Sequence, residues 1–222
     1  MASDDADEGP QQDNDGQTEQ RAGDRALQAA CDALGMRLHA PADWTDVGMG
    51  TDYAVTFRQL GDSVLYIRPC GNVRTFDVDE YARFRQRILT EAFAEDAPYC
   101  EIHDYADLRG VPRAYARERM FKLVRDDAGL FCGAVFLNIP THLWAVARAA
   151  AFALPIEIVT AHNPEQAAAA ARDLVASITD GAEAGRGLDQ NAAGADVDLV
   201  QLASDMGQPT ETHPEWEVLP MG

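Results

Sequence analysis

The chain reads as an α/β domain with a mixed sheet: a β-hairpin opens it, and βα crossover units then add parallel strands. Three observations lead there. Two runs rich in β-branched and aromatic residues, 54–58 and 64–69, are separated by Leu60-Gly61-Asp62, the signature of a hairpin. Beyond them, short apolar runs alternate with amphipathic stretches, each long enough for a right-handed crossover. One of those runs, residues 130–137 (LFCGAVFL), carries no polar side chain, as expected for a central strand covered on both faces.

In chain order, residues 1–25 are polar and acidic without apolar periodicity, and read as a disordered N-terminal segment. Residues 26–53 form an amphipathic helix and linker. Leu27, Ala30, Cys31, Leu34 and Leu38 recur at helical spacing, with an end expected near Pro41. Such a stripe needs a cover, either the main domain or a second copy, so self-association through residues 27–38 is one expectation. The main domain spans 54–179. After the hairpin, Asp77 and Glu80 stand as N-cap and N3 of a helix whose inward stripe is Tyr81, Phe84, Ile88 and Ala92. Residues 99–105 form the next strand, and 112–125 a helix with Ala116, Met120 and Leu123 or Val124 inward. A third helix starts around Thr141 and carries Leu143, Trp144, Ala147 and Phe152. Residues 156–159 make a short strand. The last helix has Asn163 as N-cap, Pro164 at N1 and Gln166 at N3, with Ala167, Ala170, Ala171, Leu174 and Ile178 inward. Residues 180–222 return to an acidic, Gly-rich composition and read as a mostly disordered tail.

Charge narrows the partners. The 222 residues carry a net charge of −19. Residues 1–25 contribute −6 and residues 180–222 contribute −8, leaving −5 on the middle. That balance argues against nucleic acid or an anionic membrane as a general partner, because their phosphates would be repelled. Cys31, Cys70, Cys100 and Cys132 are widely spread with no C-x-x-C pair, and read as small hydrophobes rather than metal ligands or a disulfide framework. No signal peptide is visible at the start and no apolar run is long enough for stable membrane insertion, so a cytoplasmic location is expected.

The order and hydrophobic pattern resemble the STAS superfamily, the fold of the anti-sigma-factor antagonists, and its SpoIIAA-like branch in particular. VLYIRPCGNV at the close of the hairpin carries the resemblance, with YCEIHDYADLRGVPRAYA and the stretch from LFCGAVFLNIPTHLW to HNPEQAAAAARDLV. It implies a non-catalytic regulatory or sensory module of bacterial signal transduction, with no cofactor. Its partner would be a protein such as a histidine kinase or a sigma-factor regulator. One departure matters. Phosphorylatable relatives place a Ser or Thr at the helix start after the strand matching 99–105, whereas no Ser or Thr occurs between Ile102 and Phe136 here. A hydroxyl phosphoswitch at that position is not expected.

The same segment is strongly basic. Arg109, Arg113, Arg117, Arg119, Lys122 and Arg125 face a single acid, Glu118, over residues 109–125. Arg109, Arg113, Arg117, Arg119 and Lys122 are the candidate partner-binding surface. The plainer reading is a solvated helix face, its arginines paired with nearby acids. Deleting residues 180–222 is expected to raise partner affinity, more at low salt, if the acidic tail covers this surface. Met120, Trp144 and Phe152, with Phe121, are candidates for the wall of a cavity holding a small lipophilic ligand, against the simpler reading of a packed core. That makes a ligand carrier or sensor the alternative function. An unrecognised enzyme ranks third. Its only support is His103 near Asp104 and Asp107, and strand alternation would put His103 and Asp104 on opposite faces. Trp216, alone among acids, is a candidate docking anchor.

Overall fold

The structure, a computed structural model of the chain, describes residues 13–126, 130–153 and 156–184. Helix α1 (Asp13–Ala33) leads into the short strands β1 (Leu38–His39) and β2 (Val47–Gly48), then the long strands β3 (Tyr53–Leu60) and β4 (Val64–Asn72). Helix α2 (Val78–Ala92), strands β5 (Tyr99–Asp104) and β6 (Asp107–Arg109), helix α3 (Ala114–Asp126) and strand β7 (Phe131–Leu137) follow. The chain ends its described part with α4 (Trp144–Ala153), β8 (Glu157–Ala161) and α5 (Pro164–Ala184).

All strands join one sheet in the order β1-β3-β4-β5-β7-β8, with β2 also on β3 and β6 also on β4. β3 and β4 form the antiparallel hairpin, in register from Tyr53 opposite Gly71 to Leu60 opposite Val64. The pairs β4–β5, β5–β7 and β7–β8 are parallel. This is the expected α/β architecture: a mixed sheet opened by a hairpin and extended by βα units. β7 lies inside the sheet between β5 and β8, which explains a run with no polar side chain.

Alternation sends side chains to two faces. On one face Val64, Tyr66, Ile102 and Val135 pack with Leu27 and Cys31 of α1 and with Ala167, Ala171 and Leu174 of α5. The stripe of α1 is therefore covered by its own domain. Alanines along α5 let the helix lie close to the sheet. Close approach recurs at Gly133 on β7, where any Cβ would run into the Glu157 carbonyl oxygen on β8. On the opposite face Phe57, Leu65 and Ile67 pack with Tyr81 and Ile88 of α2. Caps fix the helix starts. Asp77 accepts from the Asp79 and Glu80 backbone N–H groups at 3.1 and 3.0 Å. Glu80 does not complete the box, because the Asp77 N–H donates to the Met49 carbonyl at 2.7 Å. Asn163 Oδ1 accepts from the Gln166 N–H at 2.9 Å.

Several details differ from the sequence reading. α1 begins at Asp13, inside the stretch read from composition as disordered. It stops at Ala33, well before Pro41: Gly35 takes φ 65° and the Met36 N–H donates to the Cys31 carbonyl. Leu38 consequently belongs to β1, opposite Leu60. Trp144 is not inward but exposed, at 41%. Leu143 and Ala147, one turn apart, take the buried side of that helix start, and the 100° step per residue swings Trp144 out. Ile178 is also exposed, past Leu174, the last buried residue among the described side chains of α5. Cys70 is exposed while Cys31, Cys100 and Cys132 are buried.

A cavity beneath helix α3

α3 closes the second face of the sheet incompletely. Of its thirteen residues only Ala116 is buried. Beneath it lies a cavity of about 180 Å³. The parallel strands supply its floor, with Ile67 from β4, Glu101 and His103 from β5, Ala134 and Phe136 from β7 and Ile158 from β8. α2 contributes Tyr81 and Arg85, α3 contributes Arg117, Met120 and Phe121, and α4 contributes Ala147. Small side chains at Ala134 and Ala147, facing a helix that sends only half-buried side chains inward, leave the space unfilled.

One end of the floor is charged. Arg85 is 5% exposed and Glu101 3%, and such groups are buried only when paired. Arg85 Nε donates to Glu101 Oε1 at 2.6 Å, and another guanidinium nitrogen donates to the Tyr99 hydroxyl at 2.6 Å. His103 Nε2 lies 2.9 Å from Glu101 Oε2. Burial alone would raise the Glu101 carboxyl, but the Arg85 guanidinium and the His103 hydrogen bond outweigh it and hold the group at about 2. Glu101 is then a carboxylate, so His103 Nε2 carries the shared proton. The His103 ring stacks on Tyr105 at 6.0 Å and meets Phe136 edge-on at 5.7 Å. Burial also pushes the Tyr81 and Tyr105 phenols well up, so both stay neutral.

Arg117 is different. Its Nε is buried and has no hydrogen-bond partner among the described residues. No carboxylate stands within ion-pair range of it among the described residues.

The remaining basic residues have different surroundings. Arg109, on β6, sits 3.5 Å from Asp52 with both side chains exposed. Arg113 is exposed just ahead of α3. Arg119 Nε donates to Asp79 Oδ1 at 3.0 Å, tying α3 to α2. Lys122 and Arg125 are exposed on the outer side of the helix. Arg113 and Arg117 are i,i+4 neighbours, yet Arg117 is drawn to the cavity. Lys122, half a turn round from that wall, points away.

Of the cavity candidates, Met120 and Phe121 line the wall, Trp144 does not, and the Phe152 side chain lies outside the described residues, as do residues 1–12, residues 185–222 and Trp216. The His103, Asp104 and Asp107 group does not converge. Asp104 accepts from the Tyr66 hydroxyl at 2.6 Å on the opposite face, and Asp107 accepts from Arg68 Nε at 2.7 Å. The sequence reading passed over Arg85 and Glu101. Both left a signal: an arginine within the buried stripe Tyr81, Arg85, Ile88, and a glutamate two residues before His103 on one strand face. Among the described residues, no group of three or more His, Cys, Asp or Glu is placed to hold a metal ion, and no helix is long and apolar enough to cross a membrane.

Hairpin, βα units and two-sided helical cover together make the STAS-like arrangement. No family model matches the chain, and the search of curated proteins returns no match. Among solved structures, the chain is similar to an uncharacterized protein of the DUF3478 family with a SpoIIAA-like fold from Shewanella loihica PV-4. The identity is 16%, the match covers 56% of this chain and 99% of that one, and the TM-score is 0.44.

Proposed function

We propose that the chain is a non-catalytic sensory and regulatory module of the cytoplasm. It holds a small lipophilic ligand in the cavity beneath α3 and reports occupancy to a protein partner through the outer side of that helix. The observation that carries this reading is the position of α3, which walls the cavity while burying only Ala116. A helix held so lightly changes its seat when the space under it fills, and its outer side bears Lys122 and Arg125, with the exposed Tyr115 beside them. Arg109, Arg113, Arg119 and Lys122 are the partner-facing bases in this reading, while Arg117 serves the cavity. The STAS-like resemblance makes a histidine kinase or a sigma-factor regulator the class of partner.

Native mass spectrometry of the full chain, purified without denaturation, tests the ligand. A non-covalent adduct is expected on the natural protein and not on Met120→Trp, whose indole fills the cavity from the α3 wall. Bare protein from several lipid-rich preparations would overturn the reading. For the surface, the Arg113→Glu/Lys122→Glu pair is expected to abolish recovery of a partner that the natural chain retains. Equal recovery contradicts it.

A further inference from the structure

The ionisable groups around the cavity identify its ligand more closely. Arg85 and Glu101 form a buried ion pair and cancel, and His103 is hydrogen-bonded to the other oxygen of the same carboxylate. The phenols of Tyr53, Tyr81 and Tyr105 are neutral, since burial raises all three. Arg117 remains, an always-charged side chain with a buried Nε–H that no acceptor among the described residues meets. The rest of the lining is predominantly aliphatic and aromatic, with Ile67, Met120, Phe136 and Ile158 among it. We propose that the cavity takes a small apolar monocarboxylate, its carboxylate held by Arg117 and its hydrocarbon body between α3 and the sheet.

This inference rests on the cavity reading above and adds the chemistry of the ligand. A planar carboxylate offers two oxygens to the guanidinium of Arg117, the one cation on the cavity wall without an ion-pair partner among the described residues. A dianionic head is a poorer match, because Arg117 offers a single positive charge to balance it. Size sets the body. An apolar cavity of about 150 Å³ holds benzene, so about 180 Å³ suits a body slightly larger than that ring and does not enclose a long acyl chain.

Titration calorimetry of the full chain with octanoate, and with 1-octanol as its neutral counterpart, tests the assignment. Both probes are expected to bind the natural protein. Arg117→Gln is expected to weaken octanoate about tenfold or more, the usual effect of losing a hydrogen bond to a charged group. Binding of 1-octanol should be unchanged. Octanoate binding equally well to the variant overturns the carboxylate assignment while 1-octanol binding leaves the cavity reading standing. Failure of both probes on the natural protein overturns the two together. Should Arg117→Gln not fold, Arg117→Lys replaces it: the charge stays, the two-pronged guanidinium goes, and octanoate should weaken several-fold with 1-octanol unaffected.

Discussion

Glu101 shares its carboxylate between Arg85 and His103 in a site from which water is nearly excluded. Its acidity makes that arrangement measurable. The folded value of about 2 lies below the ordinary 4.5, so the unfolded chain takes up the proton first as pH falls. The stability contributed by the carboxylate is therefore present above pH 4.5 and disappears between 4.5 and 2, with a size on the order of 3 kcal/mol. Glu101→Gln also leaves Arg85 buried without its counter-charge, and should destabilise the protein at pH 7 by about 3–5 kcal/mol. Urea unfolding of both proteins across this pH range should show the difference shrinking as the solution becomes acidic. A constant difference would contradict the ion pair. Neither partner stood out in the sequence reading because each sits in an apolar pattern, Arg85 in a helical stripe and Glu101 in a strand. A period search marks which face a residue occupies, not which buried charge finds another. Trp144 failed for the opposite reason. Its size suggested burial, and a one-residue phase at a helix start decided otherwise.

The helices differ in how firmly they are held. α5 lays Ala167, Ala168 and Ala171 against the sheet, each essentially without exposure. Ala171→Leu forces three further heavy atoms into filled space and should lower stability by about 1–3 kcal/mol in thermal unfolding. Gly133→Ala should cost at least as much, because the neighbouring strand's carbonyl occupies the site of its Cβ. Substitutions on the outer side of α3, such as Lys122→Glu, should stay within about 0.5 kcal/mol. A value near those of the α5 variants would mean that α3 is packed far more tightly than the single buried Ala116 indicates. Long segments were legible because periodicity and caps agree, as at Asp77 and at Asn163-Pro164. β1, β2 and β6 were not. At two or three residues each they are too short to show alternation, and they exist because β3 and β4 offer edges to pair with.

Across the molecule the sheet has two unequal coats. α1 and α5 seal one face with buried aliphatic contacts, while α2, α3 and α4 leave a cavity over the other. The charge distribution follows the same division of labour. Most of the −19 lies toward the two ends of the chain, and the bases of residues 109–125 gather on and around the lightly held helix. The architecture was legible in the order of apolar runs. The cavity was only partly so, since Met120 and Phe121 signalled an inward face but nothing in their spacing says whether the space opposite is filled. Occupancy of that space should be felt by α3 and not by α5. Hydrogen exchange of the full chain with and without saturating 1-octanol reads this by segment. Slower amide exchange confined to Ala114–Asp126 and the cavity floor, with Pro164–Ala184 unchanged, is the expected result. No slowing in α3, or equal slowing in both helices, would contradict a sensory role for the cavity.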